Sequence, residues 1–492
     1  MGTYRAKAIT YPGSHGLNTI DATLTNEATR FGTVLTNAVI DSAGKTTSRK
    51  DFVLQTTGFS NTIRALYVHQ NITATETVFS AAAGNVYTGL ATLTSRITGS
   101  IGAQVVDVGG AKTVDSTTGL ANNATTYGIL IGFNGGANQQ ITVNGSSGQT
   151  YSNLIVAINA DIVGGGSCAI VGGNLKFFSA SNGIGSAVAL TNSAGTASVS
   201  LLATLSNFVA VRVADAATVT ADDWQFASIN QRIFMAQKGR QLRVLNETTF
   251  AEESVVGQPW SNSVNCVIAA YGRLWLADDE TGGVRSTLYW SNLLDGKALN
   301  SGDAGSLDLT NAWPKGQDSI IGLAAAFNRL FIFGRKSILM YALTATNNPT
   351  AMTLEDVVEN LGCVARDSIY GTDTGVYFLS DNGIYRFDKL QFTTSLLAAP
   401  QVSVLYNKAV LDQIAAETAT NIRAGYYPKE GYYVLSFPTS NMTFCVHTRK
   451  NVPEVNRPIG TRWTNTGRPF YAYAYTGNTG DWYSVRVNGV HK

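Results

Sequence analysis

Apolar positions along most of this chain come in short runs broken by one or two turn-forming residues, and pairs of runs recur around one signature. The signature is Asn230-Gln231-Arg232-Ile233-Phe234, then Tyr271-Gly272-Arg273-Leu274-Trp275, then Phe327-Asn328-Arg329-Leu330-Phe331. Each copy follows one apolar run and opens the next, which predicts a tight turn between antiparallel strands. The first arms are Trp224 to Ile229, Val267 to Ala270 and Ile320 to Ala326; the second arms are aromatic and branched. A looser copy without the arginine runs from Asp367 to Tyr370, through Thr374-Gly375, to Val376-Tyr377-Phe378-Leu379. Two further hairpins are predicted, Tyr426-Tyr427 with Tyr432 to Leu435, and Phe470 to Tyr473 with Trp482 to Val485.

Aromatic landmarks in these copies stand about 40 to 56 residues apart, close to the spacing of four-stranded propeller blades. Second hairpins follow at Lys238-Gly239 and at Asp381-Asn382-Gly383, the latter containing Asn-Gly, the strongest short hairpin signal. The repeated unit is therefore an antiparallel meander. The fold expected is mainly β, a β-propeller of about six to seven blades, with an ordinary β-sandwich as the alternative.

The array is interrupted early. Ile63 to Val68, Val78 to Ala81 and Val86-Tyr87 form a first unit, yet the next clear copy begins at Trp224. Between them charge nearly vanishes. Strand patterns are predicted at Ile129 to Phe133 and Gln140 to Val143, a helix over Tyr151 to Asp161 capped by Thr150 or Ser152, and strands at Cys168 to Val171 and Asn174 to Phe178 around Gly172-Gly173. This reads as an inserted α+β domain, with residues 180–210 left open. The expected division is 1–95 for the N-terminal segment and first blade, 96–215 for the insert, and 216–492 for the remaining blades.

Composition narrows function. Hydrophobic residues are 44% and charged residues only 14% of 492, against a usual charged share of about 25%. So weakly charged a surface favours permanent assembly over free diffusion. Lys+Arg 35 against Asp+Glu 33 gives no basic footprint for sequence-reading nucleic-acid binding. Neither a secretory signal nor a myristoylation pattern is read at the N-terminus, and no run reaches the roughly 20 apolar residues of a membrane span. Synthesis in a cytoplasm is expected, the protein staying soluble or being assembled there.

No chemistry is expected: no catalytic, cofactor-binding or metal-binding residue is assigned, and no cofactor. The acidic pairs Asp222-Asp223 and Asp278-Asp279-Glu280 lie in glycine-bearing turns without calcium-loop spacing, so they read as solvated tips. Ser380-Asp381-Asn382-Gly383-Ile384-Tyr385 is the nearest approach to the repeated turn of propeller sialidases, and it lacks the spacing and the tryptophan. His15, His69, His447 and His491 are scattered, and Cys168, Cys266, Cys363 and Cys445 lack metal or redox spacing. Arg232, Arg273 and Arg329 would either form a charged ring on one face or bind a neighbouring blade's carbonyl or carboxylate; the structural reading is favoured.

From Tyr271-Gly272-Arg273-Leu274-Trp275-Leu276-Ala277 through Leu288-Tyr289-Trp290-Ser291-Asn292 and Asp318 to Leu323, ending in Leu330-Phe331-Ile332-Phe333, the chain resembles the tail nozzle proteins of short-tailed phages, also called tail tubular protein B. Leu35-Thr36-Asn37 with Gly44 and Arg49 is similar to that family's opening blade. The resemblance covers Tyr271 to Tyr341 best. The chain is short for the family, and its insert falls before the second blade. The resemblance implies a virion structural protein, not an enzyme: a homohexameric ring beneath the tail adaptor, contacting tail fibre proteins. Viral DNA would leave through it without sequence-specific binding. The alternative is a propeller of a phage tail that binds host-surface glycan through Trp275, Trp290 and Trp482, or degrades it.

Overall fold

A computed structural model describes residues 17–19, 35–40, 46–49, 52–56, 59, 62–82, 85–90, 92–97, 100–106, 110–121, 125–133, 136–182, 188–205, 208–214, 224–237, 242–250, 252–253, 255, 264–277, 286–343, 348–388, 399–452, 457–464, 469–486 and 489–492. The protein is mainly β, built from many small antiparallel sheets. It divides into two compact units, residues 1–94 with 221–492, and residues 95–220.

The larger unit contains seven successive sheets. The first includes Ile63–Gln70, Glu76–Ala82 and Asn85–Thr88; the second is Trp224–Ile229, Arg232–Gln237, Arg243–Asn246 and Glu252–Glu253. The third is Cys266–Ala270, Arg273–Ala277, Thr287–Trp290 and Gly305–Asp308; the fourth Ile320–Ala326, Arg329–Gly334, Ser337–Ala342 and Thr353–Glu359. The fifth has three strands, Tyr370–Gly371, Gly375–Ser380 and Gly383–Asp388. The sixth is Arg423–Tyr427, Tyr432–Phe437, Met442–Val452 and Arg457–Thr464. In the seventh, Ala472–Tyr475, Trp482–Arg486 and Gly489–His491 are completed by Leu54–Thr56 from the other end of the chain. The first strand of each sheet lies beside the first strand of the next, and that of the seventh lies beside that of the first.

Why the signature makes turns is visible in its dihedrals. Asn230 and Gln231 have φ of 46° and 61°, Tyr271 and Gly272 54° and 72°, Phe327 and Asn328 54° and 65°. Two successive positive φ values give the two-residue hairpin whose twist matches that of the strands. Each joins an in-register pair, Ile229 with Arg232, Ala270 with Arg273, and Ala326 with Arg329. An L-residue in this conformation costs about 1–2 kcal/mol, which glycine avoids at the expense of unfolded-state entropy. Gln231 is exposed; Gln231→Gly is therefore expected to stabilise the protein by about 0.5–1 kcal/mol, measured as an upward shift of the urea midpoint.

Second strands are buried on both faces, which explains their unbroken apolar reading. In Arg273–Ala277 all five residues are buried. Leu274 and Leu276 pack with Phe234 and Val244 of the second sheet, while Trp275 packs with Ile320, Leu330 and Ile332 of the fourth. The same alternation carries Phe331 and Phe333 onto Phe378 and Phe387 of the fifth. Tyr377 and Leu379 then meet Tyr433 and Leu435 of the sixth, where the helix Asn407–Ala416 adds Val410. Val434 and Trp463 meet Phe470 and Tyr473 of the seventh, and Val485 and Val490 meet Ile63 and Ala82 of the first. The contact of first with second sheet is aromatic, Tyr67 stacking on Phe226 at 5.4 Å.

Two readings of the sequence change here. Residues Arg366–Ser368 form a 3-10 turn and not strand, since the Ser368 hydroxyl donates to Ala365 O and accepts from Leu379 N. Residues 35–37, read as part of an opening blade, instead run along the sixth sheet: Arg462 N donates to Leu35 O, Asn37 N to Arg462 O, and Thr36 bridges Arg462. Gly44 and the Lys238-Gly239 turn lie outside the described residues.

The smaller unit holds two sheets. One orders Gln139–Asn144, Thr126–Phe133 and Val188–Thr191, with Val199–Ser200 pairing parallel to Thr126–Phe133. The other orders Gly166–Val171, Asn174–Asn182, Ser100–Val106 and Phe208–Ala214. The helix spans Tyr151–Asp161, and Thr150 Oγ1 caps it by accepting from Asn153 N. Its Leu154 and Ile158 enter a core with Ile129, Ile131, Ile141, Leu175 and Phe177. The strands at Ser100–Val106 and Phe208–Ala214 and the short helix Leu201–Leu205 were not read from sequence.

Candidate functional site

First strands of the first, second, sixth and seventh sheets, with Asp367, Ile369 and Tyr370 at the entry to the fifth, surround a cavity of about 530 Å³. Its wall is tyrosine-rich, with Tyr67, Tyr370, Tyr426, Tyr473 and Tyr475, and carries Arg64, Arg423 and Asp367. Asp367 is the hub. Its Oδ1 accepts from Arg366 Nε at 2.9 Å and its Oδ2 from Arg366 Nη2 at 2.9 Å, and Arg423 Nη1 stands 3.1 Å from Oδ2. Arg366 Nη1 also donates to Asn265 O at 2.5 Å, at the edge of the third sheet. Arg423 Nε donates to Arg64 O at 3.2 Å in the first. Through its two arginines one carboxylate thereby links the turn before the fifth sheet to Arg423 of the sixth, Arg64 of the first and Asn265 beside the third.

Burial would raise the Asp367 pKa, but the flanking Arg366 and Arg423 guanidiniums hold it below the usual carboxylate value. Such a group stays ionised and doubly engaged, so it offers no proton to a substrate. Arg64 Nη1 donates to Asn421 Oδ1 at 2.6 Å, and its guanidinium lies 5.2 Å from the Tyr471 ring. Tyr67 donates to Ser228 Oγ at 2.8 Å. This arrangement clamps strands; it contains no nucleophile beside a base.

The repeated arginines sit at equivalent strand starts, and each finds a carboxylate in its own sheet or in the connection between that sheet's strands, not in a neighbouring sheet. Arg232 Nε donates to Glu253 at 2.8 Å, Arg273 Nη2 to Asp303 at 3.3 Å, and Arg329 Nη2 to Glu355 at 2.7 Å. The reason is register: an arginine opening the second strand reaches across the third toward the outer edge. Hydrogen bonds from Arg232 and Lys297 pull the Glu253 pKa down to about 2. Lys297, in the connection between the third and fourth strands of the third sheet, donates to Glu253 at 2.6 Å, so this carboxylate is also reached from the neighbouring sheet's connection.

Other candidates resolve individually. His69 is buried, with Nε2 2.9 Å from Glu247 Oε2; it joins the first sheet to the turn after the second sheet's third strand. Burial, then Lys450 and Arg449, depress the His447 pKa to about 4. All four cysteines are buried thiols, and burial pushes Cys363 up to about 11. Asp222-Asp223, Asp278-Asp279-Glu280 and His15 lie outside the described residues. Among the described residues no three His, Cys, Asp or Glu side chains gather as a metal site, and no helix is long and apolar enough to cross a membrane. Trp275 and Trp290 are buried, their indole N–H groups donating to Ala270 O and Asp303 O. Trp482 is half-buried.

The Arg366–Asp367–Arg423 cluster was missed by sequence reasoning. Arg366 and Asp367 come from a 3-10 turn and Arg423 from a strand of the sixth sheet, with no shared spacing in the chain. No protein-family model and no curated protein matches this chain.

Proposed function

We propose that the chain is a structural subunit of a phage tail, a seven-bladed β-propeller that assembles with further copies into a ring-shaped nozzle through which the genome leaves. The observation that carries the propeller is the succession of seven sheets whose first strands neighbour one another in order and return to the first. Closure by an N-terminal strand in the last sheet supports it, because shared strands lock such arrays shut. The tail assignment comes from the resemblance over Tyr271 to Tyr341, which spans the hairpins of the third and fourth sheets.

Size decides where a genome would pass. The cavity at the centre of the sheets, about 530 Å³, matches small-molecule sites of about 300–1,000 Å³ and is crossed by side-chain clamps. A duplex would have to pass between copies, so this reading requires an oligomer, a homohexamer by the resemblance. Near-neutral net charge suits such a lumen, since each phosphate neutralised by a basic wall would add to retention of DNA. Adaptor and fibre proteins would cover other faces, in the tail of the virion. The doubly engaged Asp367 supports a passive, non-enzymatic role. Glycan recognition through three tryptophans is disfavoured, since Trp275 and Trp290 have no free face.

Native mass spectrometry of the purified protein is expected to show a sixfold assembly, and particles lacking the protein are expected to leak or fail to eject DNA. A stable monomer that joins no tail complex would refute the assignment, as would hydrolysis of host polysaccharide by the pure protein.

A further inference from the structure

The central cavity of about 530 Å³ carries more positive charge than its clamp neutralises. Three guanidiniums, Arg64, Arg366 and Arg423, gather there around one carboxylate, Asp367. Glu417 reaches Arg64 only through the amide of Asn421, which accepts from Arg64 Nη1 at 2.6 Å and donates to Glu417 Oε1 at 3.1 Å. Asp373, bonded by Tyr426 of the wall, is paired with Arg449 at 2.6 Å. Two guanidiniums in excess of Asp367 therefore stand where the strands Ile63–Gln70 and Arg423–Tyr427 begin.

The uncommitted hydrogen-bonding groups of the same wall are donors. Arg64 Nε is buried without a hydrogen-bond partner among the described residues, and so is the indole N–H of Trp224, a residue 4% exposed. Gln225 Oε1 accepts from Val267 N at 2.7 Å, which leaves its amide N–H2 to face a ligand. The Tyr370 phenol has no hydrogen-bond partner among the described residues. Burial, reinforced by Tyr67, raises its pKa, so it keeps a proton to donate. Asp367 is engaged through both oxygens. A cation would be repelled here, and an apolar molecule would leave the donors unmatched. An anion answers both the charge and the donors, and guanidinium is the favoured partner of carboxylate and phosphate oxygens.

We propose that the central cavity binds a small organic anion, its carboxylate or phosphate group at Arg64 and its body extending toward Tyr370. Tyr67, whose phenol neighbours that of Tyr370, stands three residues beyond Arg64 on one strand, a separation of about 10 Å. An elongated molecule spans that distance and a bare ion does not, and the volume lies in the small-ligand range of about 300–1,000 Å³. The site is built within one copy of the chain, so it does not rest on the nozzle reading.

The test is isothermal titration calorimetry on the full-length protein, at low ionic strength and two temperatures, with ribose 5-phosphate, gluconate, ribose and inorganic phosphate as probes. Sub-millimolar binding of ribose 5-phosphate or gluconate is expected, the tighter of the two identifying the acidic group, and added salt should weaken it. Ribose is expected to bind at least about tenfold more weakly, and Arg64→Gln to weaken the acidic probe about tenfold, the effect of one charge-assisted hydrogen bond. Tyr370→Phe removes one hydroxyl and keeps the ring; it is expected to weaken binding about threefold with the urea midpoint unchanged, and it carries the test alone if Arg64→Gln does not fold. Absence of heat from both acidic probes overturns the proposal. So does ribose or inorganic phosphate binding as tightly as they do, or binding that neither variant alters. The mass of the assembly, read on the same sample, reports on the nozzle assignment separately.

Discussion

Replacing Asp367 by alanine is expected to cost about 3–5 kcal/mol, the penalty for removing one partner from a buried ionic cluster. Arg366 and Arg423 have side chains only 6% and 7% exposed, so neither can turn to water when its carboxylate goes. They would face each other as unmatched like charges at the centre of the sheets. Glu253→Ala is the control: Arg232 and Glu253 are 26% and 23% exposed, and losing that more solvated pair is expected to cost about 0.2–1 kcal/mol. Urea unfolding of both variants decides the matter. A loss below 1 kcal/mol for Asp367→Ala would mean that the cluster does not hold the sheets.

The pH dependence follows from the same residues. Asp367 has a folded pKa below its unfolded value of about 3.9, so its stabilisation is present above that value and lost as pH falls through the folded pKa. His447 acts at higher pH. Its folded pKa is about 4 against about 6.5 unfolded, so between these values the unfolded chain binds the extra proton and stability falls as pH falls. Acid unfolding should therefore begin well above the carboxylate range, and His447→Gln should flatten the slope of stability between about pH 6.5 and 4.

Trp275→Ala should be comparably destructive, at about 3–5 kcal/mol, because the cavity opens between two sheets that cannot collapse onto each other. Trp275 is fully buried, lies 6.0 Å from Trp290 and donates its indole N–H to Ala270 O at 3.0 Å. If this tryptophan instead served a ligand, its removal would spare stability; calorimetric unfolding decides between these outcomes.

Hairpins were legible in the sequence wherever the chain repeats itself. The turns at Asn230, Tyr271 and Phe327 are set by local backbone chemistry, and second strands buried on both faces give continuous apolar runs. The helix Tyr151–Asp161 and its Thr150 cap were legible because period and cap coincide within one segment. Long-range pairings were not. Leu54–Thr56 is a three-residue strand whose partner lies at Gly489–His491, and no local pattern marks it. Ser100–Val106 is small-residue-rich, and its neighbours Asn174–Asn182 and Phe208–Ala214 are far along the chain. The central cluster was hidden for the same reason: Asp367 acquires its role only when Arg423 and Asn265 converge on it and Arg366.

The pairing of Leu54–Thr56 with Gly489–His491 also has a temporal side. During synthesis the early strand emerges more than four hundred residues before its partner exists, and at about 5–20 residues per second that interval lasts tens of seconds. For that time its backbone edge stays unpaired, open to the wrong neighbour. The preceding sheets can settle as they appear, but the last cannot be completed until the C-terminal strand leaves the ribosome. Every nascent chain therefore passes through a long open state before the seventh sheet can be completed.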